Sequence, residues 1–366
     1  MQFIDLNAQY RAYKAEIDDA IRRVLDHGQF IMGPEVQQLE GELERFVGVK
    51  HCVTTASGTE SLELGLRALG IGRGDEVITV PFTFFSTAEA IKLVGAKTVF
   101  VDVEPDTFNM DMSLVRAAVT ERTKAIIPVS LFGQMADLNE ANKIAEDFGL
   151  AVIEDGAQSF GATLDGRRSC SMTTLGSTSF FPAKPLGCYG EGGALFTQND
   201  ELARKLRMLR NHGSRERDHH LEIGKNGRFD TLQAAILMAK LPHFEDELQH
   251  RERIAKRYSI ELSEDAKVPM LMKGRTHVYG QYTLRLSDRD AFRRDLNECG
   301  IPTGVYYSKC VHHQPAFKKQ NKSLESFPVA EKAAKEVVSL PMHAFLGQED
   351  QDAIIKASNV SLALRP

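Results

Sequence analysis

Cysteine is scarce and scattered in this 366-residue chain. The five residues (Cys52, Cys170, Cys188, Cys299 and Cys310) are odd in number and form no Cys-x-x-Cys pair. That speaks against a disulfide framework and a structural zinc site, and it fits reduced thiols in a cytoplasm. Positive charge has no surplus: 45 Lys plus Arg stand against 50 Asp plus Glu, a net charge of −5. Without a dominant basic field a nucleic-acid partner has little support. No apolar run approaches the ~20 residues that a membrane crossing takes. The opening Met1-Gln2-Phe3-Ile4-Asp5-Leu6 lacks the basic-then-apolar pattern of a signal peptide, so none is expected and no membrane role is expected either. Hydrophobic residues at 42% and charged residues at 26% are ordinary globular proportions, which excludes a disordered or fibrous chain.

What is present has a clear order. Residues 11–27 read as a helix stopped by Gly28, and a second helix begins at Pro34. From about residue 51, short apolar or β-branched runs at 52–55, 77–80, 98–101, 125–129 and 150–153 alternate with helical segments. Such alternation means crossover units and a mainly parallel sheet in an α/β fold. After about residue 175 the pattern changes. Two strands at 178–181 and 193–197 flank a Pro- and Gly-rich loop, a long helical region covers 230–262, and strands and helices then mix, with a strand at 282–286 and helices near 291–299 and 330–338. At ~150 residues per domain two domains are expected: a large sheet domain over 1–240 and a smaller α/β domain over 241–366.

Ligands of open parallel sheets sit beyond the carboxyl ends of the strands, so the polar residues there matter first. Ser57-Gly58-Thr59-Glu60 opens a helix after a strand. Its free N–H groups suit an anion, and it reads equally well as a capping box from Ser57 to Glu60. Glu154-Asp155 ends the 150–153 run, and one carboxylate there needs a cationic partner if it faces a cleft; a helix cap or structural ion pair is the other reading. Lys184 is the only charge in Phe180-Phe181-Pro182-Ala183-Lys184-Pro185-Leu186-Gly187. A lysine held in a rigid apolar loop becomes nucleophilic, whereas a solvated lysine does not. An anion site, a carboxylate and an amine together match the phosphate, the ring nitrogen and the aldehyde of pyridoxal 5′-phosphate.

These residues resemble the DegT/DnrJ/EryC1/StrS sugar aminotransferase family. The landmarks are Ala56-Ser57-Gly58-Thr59, Pro81-Phe82-Thr83-Phe84, Val101-Asp102-Val103-Glu104-Pro105, Ile153-Glu154-Asp155 with Gln158, Ser179-Phe180 with Lys184, and Gly190-Glu191-Gly192-Gly193. The resemblance implies a type I pyridoxal-phosphate (aspartate aminotransferase) fold with L-glutamate as amino donor. It implies that Lys184 bonds the cofactor's aldehyde and serves as the catalytic base, that Asp155 pairs with the ring nitrogen, that Gln158 lies near the phenolic oxygen and that Phe84 stacks on the ring. Ser57, Gly58, Thr59 and Ser179 would hold the phosphate, and Asn226 would reach it from a neighbouring subunit in a homodimer with shared active sites. Gly156 stands where the family commonly has alanine and is expected to loosen the turn beside Asp155.

Stretches 158–162, 179–190 and 228–237 resemble family members that aminate C3 of UDP-2-acetamido-2-deoxy-3-oxo-D-glucuronate for surface polysaccharide (O-antigen) synthesis. There Arg228 would bind the sugar carboxylate, a dimer-interface ion pair being the other reading, with Tyr306 and Tyr307 at the substrate. That subgroup has a His-Tyr pair at the latter positions, and enzymes of 4-keto-6-deoxy sugars also have Tyr-Tyr. C4 amination of a UDP- or dTDP-linked 4-keto-6-deoxy sugar is therefore the alternative. A sugar dehydratase of the family would carry histidine in place of Lys184. A nicotinamide oxidoreductase would want Gly-x-Gly-x-x-Gly after the first strand, which residues 54–61 do not supply. A non-catalytic sensor of this fold would carry a basic helix–turn–helix extension. His219-His220 and His312-His313 have no HExxH-type spacing, and adjacent side chains are expected to point apart, so no metal is expected.

Overall fold

The computed structural model describes residues 1–318 and 326–364. Its centre is a seven-stranded sheet made of β1 (His51–Thr55), β2 (Glu76–Thr79), β3 (Lys97–Phe100), β4 (Thr123–Ile126), β5 (Ala151–Asp155), β6 (Leu175–Ser179) and β7 (Gly193–Thr197). The order is β1-β7-β6-β5-β4-β2-β3. Only β7 runs against its neighbours, pairing antiparallel with both β1 and β6. All the other strands therefore share one direction and end at one edge.

Successive strand residues face opposite sides. Val53, Val77, Ile153 and Leu195 enter one apolar layer, while Cys52, Ile78, Val152 and Phe196 enter layers on the other side. Both faces must therefore be covered, which is why these strands read as continuous apolar runs. The first layer is closed by α3 (Gly58–Ala68), α4 (Phe85–Leu93) and α6 (Asp200–Arg210), and the opposite side by α2 (Pro34–Val47), α5 (Leu138–Phe148) and α7 (Thr231–Lys240). The predicted 11–27 helix is interrupted at Tyr13, and its main part is α1 (Lys14–His27). The predicted 178–181 strand lies three residues earlier, as β6. Its Gly176 carries no strand signal, yet a Cβ there would stand 2.4 Å from the Cys170 Cα, so tertiary packing makes that segment a strand.

The predicted 230–262 helix divides into α7 and α8 (Phe244–Glu261), joined by a short 3-10 turn at Leu241–His243. Phe244 packs with the large sheet, whereas Ile254, Ala255 and Tyr258 belong to a second apolar cluster. That cluster lies under the antiparallel pair β8 (Tyr282–Arg285) and β9 (Val337–Leu340), covered by α9 (Arg289–Glu298) and α11 (Gln348–Ala363). The helix predicted over 330–338 is α10 (Pro328–Glu336), and Val337 already belongs to β9. All five cysteines are unpaired. No helix among the described residues is long and apolar enough to cross a membrane.

Candidate active site

The shared edge of the parallel strands opens on a cavity of about 400 Å3. Ser57, Gly58, Thr59, Phe84, Asp155, Gln158, Ser179, Lys184, Tyr306 and Tyr307 all line it. Ten of the twelve residues singled out in the sequence thus meet in one place, although they span the chain from the first strand to beyond β8.

The anion end is built by close approach. Ser57 caps α3 in extended backbone geometry, and its Oγ accepts from the Glu60 N–H at 3.1 Å. This is half of the capping box. Glu60 itself turns to Lys225, 3.7 Å away. The cap leaves the N–H groups of Gly58 and Thr59 without an intrahelical acceptor. A Cβ on Gly58 would stand 2.6 Å from the Ser179 Cβ. Only glycine lets the start of α3 meet the end of β6, bringing the helix amides and Ser179 to one spot.

The two acidic residues ending β5 separate by strand alternation. Glu154 is fully buried and accepts from Ser130 Oγ at 2.8 Å, Ser169 Oγ at 2.7 Å and the Cys170 N–H at 2.6 Å. Burial pushes its carboxyl up, and these donors oppose that. Asp155 lines the cavity. Its Oδ2 accepts from Thr87 Oγ1 at 2.7 Å and its Oδ1 from the Ala157 N–H at 3.3 Å. Burial raises this carboxyl, while the Thr87 hydrogen bond and the positive charge of Lys184 hold it down.

Gly156 does not loosen this turn. A Cβ there would lie 2.8 Å from both Cys170 Sγ and Ser169 Oγ, and Ser169 is committed to Glu154. The glycine makes room for the segment that supports β5. Gly156→Ala is expected to destabilise the protein by about 1–3 kcal/mol through overpacking. Urea unfolding measures this, and an unchanged midpoint would contradict it.

Lys184 sits on a loop folded tightly back on itself. Its N–H donates to Phe181 O at 2.9 Å, and the Cys188 N–H donates to Phe180 O at 2.8 Å. The buried Lys240 on α7 holds the Gly187 carbonyl, and Gln233 on the same helix accepts from the Tyr189 N–H at 2.9 Å. Lys184 makes no ion pair among the described residues. Burial lowers its ammonium pKa, with Asp155 partly opposing, so its neutral amine is more accessible than that of a surface lysine. Gln158 is oriented at both ends: its Oε1 accepts from the Phe132 N–H at 2.9 Å and its Nε2 donates to Tyr307 Oη at 3.1 Å. Phe84 stands at the start of α4, 54% exposed, with its ring 6.1 Å from that of Tyr307.

Asn226 and Arg228 are not among the residues lining this cavity. They lie on the loop before α7, where Arg228 Nε donates to Asn226 Oδ1 at 3.0 Å. Arg228 lines a separate surface depression with Ile31 and Met32. The adjacent histidines also differ from expectation. His312 and His313 do not point apart, because their Nε2 atoms lie 3.3 and 3.8 Å from one oxygen of Glu331. That oxygen also accepts from the Phe327 N–H, so the group ties α10 to the 311–313 turn.

Residues to which the sequence assigned no role also line the cavity: Ile4, Thr83, Ser86, Glu191 and Gln281. Thr87, which holds Asp155, was missed too. It stands three positions after Phe84, in the first turn of the helix that Phe84 precedes.

The donors and acceptors fit pyridoxal phosphate. Two helix amides with Ser57 and Ser179 line one end and would suit a phosphate, Lys184 offers an amine with no ion-pair partner among the described residues, and the Asp155 carboxylate, already held by the Thr87 hydroxyl, would suit a basic ring nitrogen. A family model for the DegT/DnrJ/EryC1/StrS aminotransferase family matches residues 11–359. The chain is 50% identical over 347 residues to the UDP-2-acetamido-2-deoxy-3-oxo-D-glucuronate aminotransferase of Pseudomonas aeruginosa, covering 94% of this chain and 96% of that one. It is 44% identical to a pleiotropic regulatory protein of Geobacillus stearothermophilus, covering 96% of each chain. The solved structure of DesV from S. venezuelae in complex with a ketimine intermediate superposes with a TM-score of 0.97 at 38% identity, covering 99% of this chain and 98% of that one.

Proposed function

The chain belongs to the DegT/DnrJ/EryC1/StrS aminotransferase family, and from that premise we propose that it transfers the amino group of L-glutamate to C3 of UDP-2-acetamido-2-deoxy-3-oxo-D-glucuronate in the cytoplasm, for surface polysaccharide (O-antigen) synthesis. The 50% identity to the Pseudomonas enzyme across nearly the whole chain carries the choice of sugar. Pyridoxal phosphate supplies an aldehyde that accepts the amino group and a ring that draws electrons from the carbon losing its proton.

The chain's own groups do the rest. Lys184 would hold the cofactor's aldehyde end, and its amine would serve as the base that moves a proton. Asp155 keeps the ring nitrogen charged. The amides of Gly58 and Thr59, with Ser57 and Ser179, bind the phosphate, and Phe84 and Gln158 orient the ring. Tyr306 and Tyr307 take the sugar side of the cavity, and proximity then lowers the barrier. In this reading residues 1–240 form the cofactor-binding domain and 241–366 a smaller domain that closes the site with Gln281 and the two tyrosines.

Among the described residues no arginine lines the cavity, whereas both glutamate and a uronate bring carboxylates. We place Arg228 of a second copy at the site to meet a carboxylate, and Asn226 of that copy at the cofactor's phosphate. The consecutive exposed Phe30, Ile31 and Met32, the last two beside Arg228, support such a homodimer, because contiguous apolar surface is covered in assemblies.

The test is to convert the enzyme with L-glutamate and then offer a panel of UDP- and dTDP-linked keto sugars. The expected product by mass spectrometry is UDP-2-acetamido-3-amino-2,3-dideoxy-D-glucuronate. Turnover confined to 4-keto-6-deoxy sugars would replace this substrate with the alternative. An absence of any turnover would favour a regulatory role, which the Geobacillus relative's name suggests for that protein.

A further inference from the structure

A chain of two buried hydroxyls ends on Asp155. Thr83 is 3% exposed and Thr87 is fully buried. Their Oγ1 atoms lie 3.1 Å apart, and Thr87 Oγ1 is 2.7 Å from Asp155 Oδ2. A hydroxyl has one proton to give, and an ionised carboxylate only accepts. Thr87 therefore donates to Asp155, and the proton between the two threonines belongs to Thr83. We propose that Thr87 is a positioning residue that holds the Asp155 carboxylate in its ionised form and in one orientation, with Thr83 setting the direction in which Thr87 donates. This rests on the reading of Asp155 as the partner of the ring nitrogen.

Three observations carry the inference. The bond to Thr87 is the short one: the only other hydrogen bond to this carboxylate among the described residues is the 3.3 Å contact from the Ala157 N–H. Hydrogen bonds to an ionised acceptor are stronger than neutral ones, so Thr87 favours the charged form that a protonated ring nitrogen requires. Burial opposes that charge, and Thr87 is the main group countering it. The placement is also economical. Thr87 lies in the first turn of α4, directly after Phe84, so one helix start sets both the ring-facing aromatic and the carboxylate support. Methyl packing alone would be met equally well by valine, which has the shape of threonine without the hydroxyl.

The experiment compares the wild-type protein with Thr87→Val, Thr87→Ser and Asp155→Asn. It measures the dissociation constant for pyridoxamine phosphate and the pH midpoint of the visible absorbance of the pyridoxal-phosphate-loaded protein. Thr87→Val is expected to weaken pyridoxamine phosphate binding about 10-fold. It should also raise the pH midpoint, because a ring nitrogen that has lost its proton no longer repels the proton on the bond to Lys184. The KM for L-glutamate should stay within about 2-fold while kcat falls about 10-fold. Thr87→Ser, which keeps the hydroxyl, should remain within about 3-fold of wild type throughout. A Thr87→Val protein with wild-type affinity and midpoint overturns the inference, as does a Thr87→Ser protein impaired as severely as the valine variant. If Asp155→Asn also leaves both readouts unchanged, the role of Asp155 falls with it. If Asp155→Asn moves them and Thr87→Val does not, only the present inference falls.

Discussion

Lys184→Ala is expected to bind pyridoxal phosphate, to lack the visible absorbance of a lysine-bound cofactor, and to lose turnover by about 10^4-fold or more. In the proposed reading two roles disappear with one amine, the covalent anchor and the proton carrier, and among the described residues no other lysine lines the cavity. The loop itself should survive, because its folding depends on backbone bonds at Phe180 and Phe181 and on Lys240 and Gln233 from α7. The substitution therefore separates chemistry from folding. Borohydride treatment provides the complementary measurement: it should fix the cofactor covalently to the wild-type chain and not to the variant. Normal turnover in Lys184→Ala would remove the lysine from this role.

Asp155→Ala should keep the fold and lower kcat about 100-fold or more, a loss typical of removing one preorganised electrostatic partner. The carboxylate is costly to bury, and burial raises its pKa against the pull of Thr87 and Lys184. A protein retains such a charge where an opposite one arrives, which in the proposed reading is the protonated ring nitrogen. The neighbouring Glu154 is the internal control. It is equally acidic in sequence, yet it spends its oxygens on Ser130, Ser169 and the Cys170 N–H. Glu154→Gln should act mainly on stability, Asp155→Ala mainly on rate, and both are separated by steady-state kinetics alongside urea unfolding. Unchanged kinetics in Asp155→Ala would contradict the ion-pair assignment.

The chain on its own determined the alternation of strands and helices, the edge where polar residues gather, and Lys184 as the lone charge between two prolines. These are local matters: periodicity, turn residues and proline geometry act over a few neighbouring positions. Tertiary structure decided the rest. Which acid of the Glu154–Asp155 pair faces the cavity depends on Ser130 and Ser169, brought in from other segments. Tyr307 meets Gln158 across 149 positions of sequence, and β7 enters between β1 and β6 against their direction. Gly156 and Gly176 look permissive in sequence, and only the approach of Cys170 shows that they are required. Asn226 and Arg228 stand outside the cavity of their own chain, a placement that their sequence positions do not reveal. Such contacts are set by how distant segments pack, and side-chain type carries no record of the partner it will meet.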